Sequence, residues 1–195
     1  MNKRALIRHG GLVLLLLSLW QVGSAGYIAA KAELAQVLLE YAWQRSHGGA
    51  EAVRPWPSAD TWPTARLAFP QHDTALIVLS GASARNLAFG PVEVARSGGL
   101  ITAENLLIAG HRDTHFRVLG ELQAGDDITL ERPDGTRHYH VTDSFVIDQD
   151  AAGELADDDS LLLITCYPVG GVNPGTRWRY VVRARPEVPA APDQA

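Results

Sequence analysis

The stretch Asp127-Ile128-Thr129-Leu130-Glu131-Arg132-Pro133-Asp134-Gly135-Thr136-Arg137-His138-Tyr139-His140-Val141-Thr142-Asp143-Ser144-Phe145-Val146 decides the fold class. Two strand-like runs, Asp127 to Glu131 and Thr136 to Val146, flank Arg132-Pro133-Asp134-Gly135. That tetrad is a strong hairpin signal, because Pro presets a turn φ and Gly accepts a positive one. Outward from it lie further short runs: Arg66 to Phe69, Ala75 to Leu79, Asn105 to Ala109, Leu161 to Thr165 and Trp178 to Val182. Pro70, Asp73, Gly90-Pro91 and Ser97-Gly98-Gly99 punctuate them. Many short strands with turn residues between them predict a sandwich or a barrel. Alternating βαβ units are absent, which excludes the dinucleotide-binding folds. One helical insertion is expected after His111, where Phe116, Leu119 and Leu122 share helical spacing.

Ahead of the β-rich part the pattern is helical. Gly10 to Ala30 carries no charge, and Leu12 to Trp20 is apolar apart from Ser18. Such a segment is long enough for a membrane-spanning helix. Lys3, Arg4 and Arg8 precede it and would keep the N-terminus cytoplasmic. The competing reading is a cleaved signal peptide with small residues at Gly23-Ser24-Ala25. Both readings export the β-rich part. Lys31 to Arg45 reads as a helix with Leu34, Val37, Leu38, Tyr41 and Ala42 at its spacing, ended by Ser46-His47-Gly48-Gly49. Pro55, Pro57 and Pro63, interleaved with Trp56 and Trp62, exclude regular helix or central strand over Glu51 to Thr64. The two tryptophans either pack on the domain or sit near a headgroup layer. These shifts divide the chain into 1–30 (cytoplasmic stub and anchor), 31–63 (helix and linker), 64–185 (β domain) and 186–195 (Pro/Ala-rich tail, expected to be disordered).

Composition narrows the function. Of 195 residues, 46% are hydrophobic and 20% charged, so a packed core is expected and wholesale disorder is excluded. Lys plus Arg number 17 against 22 Asp plus Glu, a net charge of −5. No basic patch dominates, so nucleic acid is not expected as a partner. The single cysteine forms no internal disulfide and no Cys-rich metal site. It is either an inert core residue or a nucleophile.

Three places join reactive residues to strand ends: Gly110-His111-Arg112-Asp113-Thr114-His115-Phe116, Leu163-Ile164-Thr165-Cys166-Tyr167-Pro168, and Arg177-Trp178-Arg179-Tyr180. Thiol catalysis needs a thiolate, a proton carrier and a cation for the developing oxyanion. Cys166, His111 and an arginine supply those types. Among the remaining polar groups, Asp113 reads as a loop-structuring or His-orienting carboxylate. His115, four residues after His111, lacks an evident third metal ligand and reads as a substrate-contact or packing residue. His138 and His140 read as a solvated strand face, and Asp157-Asp158-Asp159 as a solvated turn rather than a calcium site.

Gly110-His111, Leu162-Leu163-Ile164-Thr165-Cys166 and Arg179 in a late strand resemble the signature of sortases, membrane-anchored cysteine transpeptidases. Leu162 stands where the family's motif usually has Thr. Pro55-Trp56-Pro57 with Ala59-Asp60-Thr61-Trp62-Pro63, Leu87-Ala88-Phe89-Gly90-Pro91, Gly110 to Phe116 and Thr165-Cys166-Tyr167-Pro168 are similar to the sortases of Gram-negative bacteria. The resemblance spans about residues 5–185 and implies a mostly β fold: a closed barrel of about eight strands with short helices, preceded by a transmembrane helix.

The implied chemistry is transpeptidation. Cys166 would attack the Thr-Gly carbonyl of an LPxTG-like signal near a partner protein's C-terminus and form a thioester. His111 would protonate the leaving amine and deprotonate the incoming one, and Arg179 would orient substrate and hold the oxyanion. Thr165, His115 and Arg177 are the expected substrate-contacting residues, with Arg177 and Arg179 on one strand face. The acceptor is an amine, and no metal or organic cofactor is implied. The location implied is the inner (cytoplasmic) membrane, single-pass, with the catalytic domain on the periplasmic side. Competing functions are a cysteine peptidase that resolves the acyl-enzyme with water and a non-enzymatic anchored barrel. An L,D-transpeptidase lacks its Ser-x-Gly-Cys context around Cys166.

Overall fold

The computed structural model describes residues 3–46, 52–94, 106–154, 159–171 and 175–187. The expected turn at Ser97-Gly98-Gly99, the start of a strand at Asn105, the helix-ending His47-Gly48-Gly49, Asp157-Asp158 and the tail from residue 188 lie outside these residues.

Helix α1 runs Lys3–Ser46 without the expected division near residue 30. The chain forms two compact units, 1–38 and 39–195. In the first unit Leu12, Val13, Leu14, Leu15, Leu16, Leu17, Leu19 and Trp20 are all more than half exposed, so the helix is apolar around its circumference there. The spanning helix expected within 1–30 is not found: among the described residues no helix is long and apolar enough to cross a membrane. The apolar run is short, with His9 before it and Gln21, Gly23, Ser24 and Gly26 after Trp20.

The second unit contains a closed eight-stranded barrel in the order β1-β2-β3-β4-β7-β8-β6-β5. Its strands are β1 Pro63–Phe69, β2 Thr74–Leu79, β3 Val92–Glu93, β4 Leu106–Ala109, β5 Asp127–Arg132, β6 Gly135–Asp148, β7 Leu161–Cys166 and β8 Trp178–Pro186. The hairpin read from the sequence closes β5 on β6, with Arg132 opposite Gly135 and Gly135 at φ 142°. The long β6 pairs with β5 over its first half and with β8 over its second, bending at an irregularity between Val141 and Asp143. Two pairings are parallel, β2 with β3 and β4 with β7.

Alternation decides which side chains fill the barrel. In β1, Ala65, Leu67 and Phe69 are completely buried and their neighbours are half-exposed. They meet Ile128, Leu130, Leu161, Leu163, Val182 and Ala184 inside, with Phe116 and Leu119 closing one end. Strand β7 is buried on both faces, because Leu162 and Ile164 join Leu107 and Val181 in a second apolar cluster outside the barrel. This double burial explains why Leu161 to Thr165 reads as a continuous apolar run rather than an alternation. Full burial of each such leucine contributes roughly 1.5–3 kcal/mol.

The expected helical insertion is a single 3-10 turn, Arg117–Gly120. Phe116 at its start and Leu119 within it are buried, and Leu122 is buried two residues past its end. Within the second unit, Leu39 and Trp43 of α1 pack on Ile77, Leu79 and Val92, joined by Trp56, Leu87 and Phe89. Trp56 meets the Phe89 ring edge-on at 5.0 Å. Trp56 therefore packs on the domain.

Candidate active site

The site is built at the ends of the parallel pair β4–β7. Their register runs Leu106↔Leu161 to Ala109↔Ile164. Past the end of the ladder the chain continues into Gly110 and His111 on one side and Thr165 and Cys166 on the other. Two hydrogen bonds fix this continuation. Gly110 donates its N–H to the Ile164 carbonyl at 3.1 Å, and the buried Thr165 hydroxyl donates to the Gly110 carbonyl at 2.7 Å. Gly110 has a steric reason to be glycine: a Cβ there would lie 2.7 Å from the fully buried Phe116 ring. The Phe116 N–H returns to the His111 carbonyl at 2.9 Å and closes the loop.

On its other side Cys166 is the direct antiparallel partner of Arg179. Paired residues project to the same face, so thiol and guanidinium share the outer face of the barrel. Cys166 is partly exposed where the five residues before it are buried. The strand end thus leaves Cys166 less buried than the residues that precede it. The cis Tyr167–Pro168 peptide follows, with the Tyr167 N–H bonded to the Trp178 carbonyl at 3.0 Å.

The arginines have different surroundings. Arg179 donates through Nη1 to the carbonyls of Thr176 at 2.7 Å and Trp178 at 3.1 Å, and through Nη2 to Gln149 Oε1 at 2.8 Å. Three acceptors hold its planar fork in one plane. Arg177 precedes β8 and is exposed. It pairs with Asp148 and Asp150, each at 3.2 Å. The N–H of Asp150, more than Arg177 itself, holds the Asp148 carboxyl below its ordinary range. Arg177 thus lies outside the regular ladder that aligns Arg179 with Cys166.

His111 is exposed, and His115 is half-buried. Burial, and then the nearby His111 charge, holds the His115 imidazole below its usual range. His115 lines a cavity of about 310 Å³ with His72, Thr74, Thr114, Arg117 and Glu121. A second cavity of about 420 Å³ lies between Tyr167–Gly170, Arg117, Glu121 and Tyr180. Asp113 meets Arg112 at 3.4 Å. His138 and His140 are exposed on β6, beside Thr129 and Asp127. Among the described residues no three His, Cys, Asp or Glu side chains are grouped to hold a metal ion.

Arg112 is the residue that the sequence did not single out. Its side chain is 7% exposed, and Nη1 donates to the Pro168 carbonyl at 3.2 Å. Its position next to His111 was the one available signal.

A closed mixed barrel with a thiol at the end of β7, flanked by a histidine loop and an arginine strand, defines a class of fold and site. The Sortase domain family model matches residues 67–187, and the chain belongs to the sortase family. Sortase D of Bacillus subtilis (strain 168) is 29% identical over 119 residues, 60% of each chain. The chain thus spans about 60% of that relative's length. Sortase A of Listeria monocytogenes superposes with a TM-score of 0.55 at 25% identity, covering 65% of this chain and 88% of that one. A lid mutant of Corynebacterium diphtheriae sortase A matches with a TM-score of 0.57 at 23% identity over 83% and 97% of the two chains, a likeness of fold.

Proposed function

We propose that this chain is a sortase-type cysteine transpeptidase acting on an LPxTG-like C-terminal sorting signal. One observation carries the reading: Cys166 ends β7 as the direct partner of Arg179, while His111 follows β4, the strand on the other side of β7. Family membership supports it. Cys166 Sγ attacks the Thr carbonyl, and Arg179 stabilises the oxyanion with fixed donors. The Thr–Gly C–N bond breaks as His111 protonates the leaving amine. An incoming amine then attacks the thioester and gives its proton to His111. The C–S bond breaks and Sγ leaves as the thiolate beside protonated His111, the pair that began the cycle. His115 and Arg177 would frame the substrate; Thr165, expected to contact it, is buried and instead holds the Gly110 carbonyl. Residues 64–185 would form the catalytic domain.

The finer placement among sortases of Gram-negative bacteria rests on the Pro/Trp stretch and Leu87 to Pro91, whose Trp56 and Phe89 pack together. The exposed apolar part of α1, Leu12 to Trp20, would hold the barrel at the membrane on the extracytoplasmic side. The test is to mix residues 39–195 with an LPxTG-type peptide and an amine. Amine-dependent transfer supports the reading, and hydrolysis unaffected by amine assigns a peptidase instead. Alkaline extraction of membranes from cells making the full chain tests the tether.

A further inference from the structure

Resting on that catalytic reading, we infer that Arg112 is a positioning residue that locks the His111 loop to the turn after Cys166. His111 is tied on both sides. Before it, Gly110 is bonded to Ile164 and Thr165. After it, Arg112 reaches 56 residues along the chain to the Pro168 carbonyl, which also accepts the Gly171 N–H at 3.1 Å. Residues on either side of His111 therefore grip residues on either side of Cys166.

The guanidinium suits this task. A buried charge needs partners, and Arg112 has the Asp113 carboxylate at Nε and the Pro168 carbonyl at Nη1. The rigid fork fixes these two contacts relative to one another. An ammonium carries the charge at a single point and cannot reproduce both. Without the tether the histidine loop loses its hold on the Cys166 turn while the β4–β7 ladder remains. Proton transfer then suffers from misplacement, and binding of the signal on the outer face does not.

The experiment measures peptide transfer to an amine by the full chain and by Arg112→Met, Arg112→Lys, Cys166→Ala and His111→Ala, each with a thermal melt. Arg112→Met should lower kcat about 100-fold, the loss expected of a misplacement near 1 Å, with KM unchanged. Arg112→Lys should recover part of it. Alkylation of Cys166 by iodoacetamide should proceed at the wild-type rate in both. Wild-type kcat in Arg112→Met, with Cys166→Ala and His111→Ala inactive, overturns the positioning role and leaves the catalytic reading standing. If Arg112→Met melts below the assay temperature, Arg112→Lys is decisive: lowered kcat at unchanged KM supports the role, and wild-type kcat overturns it. Transfer by Cys166→Ala or His111→Ala overturns the catalytic reading and this inference with it.

Discussion

Cys166 and Arg179 face each other as the last aligned pair of the β7–β8 ladder, with the guanidinium held by Gln149 and by the carbonyls of Thr176 and Trp178. This pairing makes the cation a fixed part of the sheet rather than a mobile surface charge. A preorganised donor beside a nucleophile costs little reorganisation as negative charge develops.

Arg179→Lys should therefore lower kcat by roughly 10²–10³-fold, the loss typical of one removed oxyanion donor. Arg177→Lys should act mainly on KM, because Arg177 is engaged with Asp148 and Asp150 beyond the aligned ladder. Steady-state kinetics of both variants check the assignment. An active Arg179→Lys beside an inactive Arg177→Lys would exchange the two roles.

Gly110→Ala should destabilise the barrel by about 1–3 kcal/mol, since its Cβ would press on the buried Phe116 ring. That corresponds to a Tm drop of roughly 3–10 °C in a domain of this size. Gly110→Ala combined with Phe116→Leu should regain part of the loss in a thermal melt, because the colliding ring is gone.

Thr165→Val keeps the shape and removes the 2.7 Å bond to the Gly110 carbonyl. A buried acceptor left unpaired costs about 1–3 kcal/mol. Both stability and transfer should fall, as the carbonyl belongs to the residue before His111. Melting and turnover of this variant test the link.

His115 titrates lower in the folded chain than in the unfolded one, through burial and then the His111 charge. The unfolded chain thus binds the proton first. Its contribution to stability is complete above about pH 6.5, the unfolded value, and is lost as pH falls through the folded value. His115→Gln should flatten the decline of Tm on acidification from pH 7.5. An unchanged Tm profile would exclude this linkage.

Much of the barrel was legible because its local signals agree. The Pro-Asp-Gly turn, the apolar run ending at Cys166 and the short run from Arg66 to Phe69 each form the element they imply. Strand β3 was missed because it has two residues and follows Gly90-Pro91. Val92 is held by burial and Glu93 by a 2.8 Å ion pair to Arg132, contacts that a linear pattern does not reveal. The 3-10 turn was read as a longer helix, since three apolar residues three apart fit both periods. Motif order brought Cys166, His111 and Arg179 forward as candidates, and the β7–β8 ladder pairs two of them, Cys166 and Arg179. Arg112 was not legible, because its burial depends on a carbonyl 56 residues away.

The most direct measurement is mass spectrometry of the full chain mixed with an LPxTG-type peptide and no amine. The account predicts a thioester adduct on Cys166, carrying the peptide up to its Thr, that disappears when an amine is added and never forms in Cys166→Ala. No adduct on the folded protein, or the same adduct in Cys166→Ala, would contradict it.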